Sequence, residues 1–250
     1  MSGHSKWSTI KHKKGAEDKK RGKLFTKLSR AIIVAAKDGG PDPDSNATLA
    51  NAIAKARSYS MPKDNIERAI SRATGGGEGS DAYEAIVYEG YGPEGVAIIV
   101  EALTDNRNRT AADVRSIFGK HNSSLGTPGS VAWQFERKGV ILIGGEGVGE
   151  DDMVLGAADA GAEDAAVDGD TWQVTTDASQ LAAVRDSLEA AGFEITSAEL
   201  TLVPKNTVAL EEDGARKLLK LIDALEENDD VQDVYANFDI PDAILESVAG

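Results

Sequence analysis

The chain contains no cysteine. That excludes disulfides, thiolate metal sites and a cysteine nucleophile, and it fits a reducing compartment. Histidine is scarce: His4, His12 and His121 are the whole complement. No acidic cluster brackets His4 or His12, so neither is read as a metal ligand. His121 stands where a helix should end, a place where a histidine meets the helix dipole favourably. Aromatic residues make up 5% of the chain, so the core must be built mostly from Ala, Val, Ile and Leu. Long apolar runs are missing as well. Stretches such as "GVAIIV" fall far short of the roughly 20 residues that a membrane span needs. No apolar segment follows the basic N-terminus, so no signal peptide is expected. Phosphate-cradle and nucleophile-elbow motifs are absent: there is no G-x-x-x-x-G-K-[ST], no G-x-G-x-x-G after a strand and no G-x-S-x-G. The Gly-rich "TGGGEGSD" and "GGEGVGED" read as a linker and a loop. These absences together predict a soluble, cytoplasmic, non-enzymatic protein with no cofactor, no metal, no membrane contact and no small-molecule substrate.

What is present is an uneven charge distribution. The 250 residues carry a formal net charge of -15. Residues 1–75 nevertheless hold 16 Lys and Arg against 7 Asp and Glu, while the remaining 175 hold 11 against 35. A +9 module is therefore fused to a -24 body. An acidic surface keeps a protein soluble and needs no further account. The cationic module calls for a partner.

The pattern along the chain predicts an α+β, multidomain protein. Residues 1–76 form a basic arm followed by a helical domain. Its first helix, from about residue 17 to 37, turns Phe25, Leu28, Ile32, Ala35 and Ala36 inward and carries Lys19, Lys20, Lys23, Lys27 and Arg30 as a ridge on another side. Helices follow over residues 45–58, with Leu49, Ile53 and Ala56 inward, and through "MPKDNIERAISRAT". After the linker, residues 81–136 read as strand, strand, helix and a further strand in "SVAWQFE". Thr110 and Asp113 have capping-box spacing at the start of that helix. Residues 140–203 spell strand, helix, strand, strand, helix, strand, the split βαβ order. "EEDGARKLLKLIDALEE" and "VQDVYANFDI" supply a strong helix and a half-buried strand. The expected organisation is an N-terminal helical domain and two ferredoxin-like α/β domains, one inserted into the other: residues 80–136 plus 206–242 make a discontinuous domain, and 137–205 the insert.

Lysines in a Gly/Ser context bind phosphate backbones as point charges, and an indole among them can stack on a base. Lys6, Trp7, Lys11, His12, Lys13 and Lys14 in the arm are thus candidate nucleic-acid contacts. So are Lys19, Lys20, Lys23, Lys27 and Arg30 on the ridge and Lys63 on the third helix. Arg107 and Arg109, in "TDNRNRT" between a central strand and a helix, are a second group, because a helix N-terminus flanked by arginines suits phosphate. Against this stands the plainer reading of solvated helix faces and of arginines paired with local carboxylates such as Asp105 or Asp113.

"GHSKWSTIKHKKGAEDKKRGKLFTKLSR", "MPKDNIERAI", "YEGYGPEGVAIIVEALTDNRNRTAADVRSIF" and "GSVAWQFERKG" resemble the signature segments of the YebC/PmpR family, which includes the mitochondrial translational activator of cytochrome c oxidase. The resemblance runs from residue 2 to about 240 and is densest before residue 145. It implies three domains, helical then two α/β, one interrupting the other. It also implies a DNA-binding transcriptional regulator or a ribosome-associated translation factor. The residue types lean toward RNA, since a Lys-rich ridge reads charge rather than base edges. DNA, ribosomal or messenger RNA, and the ribosome are therefore the expected partners. A protein-interaction scaffold working through the acidic α/β domains is the competing expectation. Oligomeric state is not legible in the chain.

Overall fold

The structure, a computed structural model, describes residues 18–74, 83–145, 147–168, 171–241 and 244; for residues 18–20 and 168 this covers the main chain only. Three helices come first: α1 (Asp18–Gly39), α2 (Ala47–Ser58) and α3 (Lys63–Thr74). Leu28, Ile32, Ala35 and Ala36 of α1 meet Leu49, Ile53 and Ala56 of α2 and Ile66 and Ala69 of α3 in one core. This is the apolar stripe that the 3.6-residue period demands. Asn46 caps α2 by accepting from the Leu49 N–H, and its amide donates to the Ala35 and Gly40 carbonyls, which ties the turn between α1 and α2.

The body holds β1 (Glu84–Tyr91), β2 (Ala97–Thr104), α4 (Arg107–Lys120), β3 (Ser124–Leu125), β4 (Phe135–Gly144), α5 (Glu150–Asp159), β5 (Asp164–Asp168), β6 (Thr171–Asp177), α6 (Leu181–Ala190), β7 (Ile195–Pro204), β8 (Val208–Ala209), α7 (Glu212–Glu226), β9 (Val231–Ala236) and β10 (Phe238–Asp239). β4 to β7 form one antiparallel sheet in the order β5-β6-β4-β7, with α5 and α6 over its core of Ile141, Ile143, Met153, Trp172, Val174, Val184 and Leu188. A second sheet runs β3-β1-β2-β9. Its last strand comes from beyond the first sheet in sequence. It is covered on one face by α4 and α7 through Val114, Phe118, Leu218, Leu221, Ile222 and Leu225. This sheet opens with a hairpin, so its connections run ββαβαβ, whereas the other sheet has the βαββαβ order.

Three local expectations change. The strand expected in "SVAWQFE" and the one expected to open the 140–203 pattern are not two separate strands. Residues 132–134 make a single 3-10 turn, and β4 then runs unbroken from Phe135 through Gly139 to Gly144. Gly139 is needed for close approach rather than for a turn: a Cβ there would lie 2.8 Å from Thr176 Cγ2 and 3.0 Å from Leu181. The cap of α4 is Asn106, which accepts from the Arg109 N–H, and Thr110 is buried in the first turn instead of capping it. In β9 the neighbours of Val234 and Ala236 are not solvated. Tyr235 is buried with Ala97, Ile99, Val131 and Phe135 in a small cluster on the sheet's other face, where β7 adds Leu202. Both faces of β9 are covered, so its side chains do not alternate between core and water.

Candidate nucleic-acid interface

Lys6, Trp7, Lys11, His12, Lys13 and Lys14 lie outside the described residues, and Lys19 and Lys20 are described only as main chain of α1. The rest of the ridge is a correction. It does not present a continuous row of free cations. Arg30 Nη1 donates to the carbonyls of Leu103 (3.1 Å) and Asp229 (2.8 Å) and to Asp230 Oδ1 (3.2 Å). Lys27 donates to the Glu226 carbonyl, and Lys23 reaches the Glu227 carbonyl and Asp229. Apart from Leu103 of β2, these acceptors are the last carbonyls of α7 and the acidic turn after it. A helix C-terminus leaves four carbonyls unpaired and carries partial negative charge, so cations are favourable there. The ridge therefore docks the helical domain on the body. Burial pushes the Lys27 ammonium down to about 8, against the opposing pull of Glu226, Asp229 and Asp233.

Arg109 takes part in the same junction. Its Nη2 donates to Asp230 Oδ2 at 2.8 Å and to Asp105 at 2.9 Å. The Thr110 hydroxyl donates to Asp230 Oδ2 at 2.7 Å. Asp230, 5% exposed, thus gathers Arg30 from the helical domain and Arg109 and Thr110 from α4. Burial alone would raise its carboxyl. The Thr110 and Arg109 hydrogen bonds and the two guanidinium charges outweigh burial and hold it below the usual carboxylate range. Arg107 pairs with Glu84 at the surface, 2.9 Å apart. Lys63 is exposed and lies 3.5 Å from Glu67 one turn along α3. Beside it Arg68, among the described residues, bonds to its own helix at Asp64 and Asn65, and Arg72 is exposed. α3 thus shows solvent a charged face in which Lys63, Arg68 and Arg72 stand among the exposed Asp64 and Glu67.

A second polar junction joins α2 to both sheets. A cleft of about 160 Å³ is lined by Lys55, Glu101, Arg137, Glu199, Asp233 and Tyr235 among others. Lys55 pairs with Asp233, and Arg137 with Glu101 at 3.2 Å. Burial raises the Glu199 and Glu101 carboxyls, with Asp233 adding to the rise and Lys55 and Arg137 respectively opposing it. Sequence reasoning missed Asp230, Asp233 and Lys55. "ENDDVQD" reads as one more acidic surface run, and only the docking of α1 and α2 separates its buried members from its exposed ones. His121 is at the end of α4 as expected, its Nδ1 3.0 Å from the Ile117 carbonyl. Among the described residues no group of three or more His, Asp or Glu is placed to hold a metal, and no helix is long and apolar enough to cross a membrane.

A family model described as "TACO1/YebC protein N-terminal domain" matches residues 5–76, and one described as "TACO1/YebC second and third domain" matches residues 83–238. The chain belongs to the TACO1/YebC family. Over its whole length it is 60% identical to a protein of Rubrobacter xylanophilus and 55% identical to one of Dictyoglomus turgidum, covering 100% of each. Both are named "Probable transcriptional regulatory protein". A crystal structure of a conserved hypothetical protein, Aq1575 from Aquifex aeolicus, superposes with a TM-score of 0.80 at 46% identity, covering 90% of this chain and 93% of that one.

The family-like segments occupy defined places. "MPKDNIERAI" builds the start of α3, "YEGYGPEGVAIIVEALTDNRNRTAADVRSIF" the β1–β2 hairpin and α4, and "GSVAWQFERKG" the 3-10 turn and the first half of β4. Glu89 organises the last of these. Its buried carboxylate accepts from the main-chain N–H groups of Gly129 (2.6 Å), Val131 (2.7 Å) and Ala132 (2.8 Å). Burial would raise this carboxyl, but the three donors overcome it and hold it low.

Proposed function

We propose that the chain is a nucleic-acid-binding regulator of gene expression that acts without a catalytic centre. The observation that carries the reading is the segregation of +9 on residues 1–75 from -24 on the rest. The names of the Rubrobacter and Dictyoglomus relatives support a regulatory role. With Lys23, Lys27 and Arg30 docked on α7, our reading draws phosphate binding from the arm, from Lys19 and Lys20, and from Lys63, Arg68 and Arg72 on α3. Lysine-rich segments recognise phosphate charge without reading base edges, which favours RNA or unpaired strands over a sequence-specific duplex.

Affinity measured against salt tests this. Replacing Lys11, Lys13, Lys14, Lys19 and Lys20 by Gln should weaken binding to single-stranded RNA. The slope of log affinity on log salt should fall by roughly 0.7 for each phosphate no longer neutralised. Gln at Lys23 and Lys27 should leave that slope almost unchanged. A slope that the arm substitutions leave intact would refute the assignment.

A further inference from the structure

The body carries one large aromatic ring in water. Trp133 is 64% exposed, in a molecule that has only three tryptophans. An exposed indole on a loose loop would mean little, but this one is held. Val131 and Phe135, on either side of it in the chain, are 0% and 6% exposed and anchor the 3-10 turn in the core. The three bonds to the Glu89 carboxylate tie the preceding loop, and the Gly126 N–H adds a fourth tie to the Glu89 carbonyl at 2.8 Å. On the far side the Gln134 side chain accepts from Asn237, and its carbonyl accepts from the Lys205 N–H. The ring itself is fixed by its Nε1–H, which donates to the Ser130 carbonyl at 3.1 Å. That same oxygen accepts from the Tyr91 hydroxyl at 2.9 Å. Two aromatic side chains thus converge on one carbonyl, and the loop beneath them is cinched by a buried charge.

The chemistry left to Trp133 is narrow. Its only donor is used internally, so a partner must meet the face of the ring. Pre-organised rings lose little rotamer entropy when they bind, and such aromatics serve as anchors at interfaces. Close in the fold, next to Gln134, stands Lys205, whose side chain is exposed and makes no ion pair among the described residues. A flat π surface on one segment and an exposed lysine on the segment bonded to it suit a nucleotide strand: base on ring, phosphate on lysine. A base inside a duplex has both faces covered by its neighbours, so only an unpaired base fits.

We propose that Trp133, with Lys205, is a stacking platform for an unpaired nucleobase of single-stranded nucleic acid. This rests on the nucleic-acid-binding reading above and adds what the cationic arm cannot supply, a preference for unstacked bases. The test uses the full chain and three fluorescent probes of the same mixed sequence: single-stranded RNA, single-stranded DNA and duplex DNA. Trp133→Ala should raise the Kd for both single strands by roughly 5- to 100-fold, Trp133→Phe should keep most of the affinity, and both should melt with the parent. The salt slope should stay at the parent's value in Trp133→Ala and fall by about 0.7 in Lys205→Gln. Single-strand affinity equal to the parent's in Trp133→Ala overturns the proposal, and so does an equal loss on the duplex. Retained oligonucleotide affinity with abolished ribosome co-sedimentation also overturns it and assigns the ring to a protein surface. If the parent binds none of the probes, the regulator reading itself has failed, an outcome separate from a parent that binds and does not need Trp133.

Discussion

Replacing Asp230 tests whether the helical domain is held by the junction described. Its carboxylate faces two guanidiniums and the hydroxyls of Thr104 and Thr110, and its own N–H and C=O are bonded to Asn228 Oδ1 and the Leu103 N–H. Asp230→Ala takes the carboxylate away from Arg30, whose side chain is only 14% exposed, and leaves the Thr110 hydroxyl to Thr104 Oγ1 and the Asn106 carbonyl. Breaking a buried pair from one side costs about 3–5 kcal/mol. Arg109 is about half exposed and can turn to water, which places the expectation toward the lower end. Asp230→Asn keeps an acceptor for Thr110 but turns an amide N–H toward a guanidinium, and should cost about 1.5–3 kcal/mol. At about 2–4 °C per kcal/mol for a chain of this size, thermal melts should shift by roughly 6–20 °C for Ala and less for Asn. The pH dependence has a definite sign. A carboxyl held below its unfolded value stabilises the fold above about pH 4 and loses that contribution as pH falls through the folded value. The gap between parent and Asp230→Asn should therefore be constant from neutral pH down to about 4 and close below it. Because the pair is buried, the gap should persist at high salt. Variants that both melt with the parent, or a gap that vanishes with salt, would refute the structural role of Asp230.

The two arginines of "TDNRNRT" should now behave differently: Arg107→Ala, losing an exposed pair with Glu84, should change stability by no more than about 1 kcal/mol, whereas Arg109→Ala should lower the melting temperature visibly because Asp230 depends on it; thermal melts of the two single variants decide this. Glu199→Gln should raise the melting temperature at neutral pH. Burial keeps its folded value above the unfolded one, so ionisation penalises the fold above that value and not below about pH 4, and melts at the two pH values should show the gain only at the higher. Gly90→Ala should destabilise by about 1–3 kcal/mol, since a Cβ there would lie 2.6 Å from Phe118 and 2.7 Å from the Ser124 carbonyl; a urea midpoint equal to the parent's would contradict that packing.

Helices were legible wherever an apolar stripe recurred. Leu28, Ile32, Ala35 and Ala36 in α1 are buried where the period places them, as are Leu218, Leu221, Ile222 and Leu225 in α7. Where burial comes from a neighbouring sheet, the period failed. Tyr235 reads as a polar-face residue and is 7% exposed, because another part of the chain covers it. Trp133 reads as the middle of a strand and is on an exposed turn, because Glu89, over forty residues away in sequence, draws three N–H groups out of any ladder. The cationic residues were legible as charge but not as geometry. A helical wheel locates Lys23, Lys27 and Arg30 on one side of α1 and is silent on whether water or the C-terminus of α7 faces them.

The opposed charges of the two halves can now be understood together. Part of the positive charge is engaged within the molecule, on carbonyls and carboxylates after α7, and this fastens a cationic module to an anionic body. The cations that this junction leaves over belong to the same chain as a strongly negative body. A polyanion approaching such a dipolar molecule is repelled by the body and attracted to the arm, so the fields orient it before contact. Charge of this kind selects for phosphate and against position along the body. A contact on the body must therefore draw on something other than bulk charge. A fixed aromatic face meets that condition, because stacking is weakly screened by salt and needs no positive field. The arm and Trp133 would then divide the work, with most of the salt-dependent affinity in the first and the preference for unpaired bases in the second, and the separate responses of the Lys→Gln and Trp133→Ala variants to salt are what distinguish this division from a single binding surface.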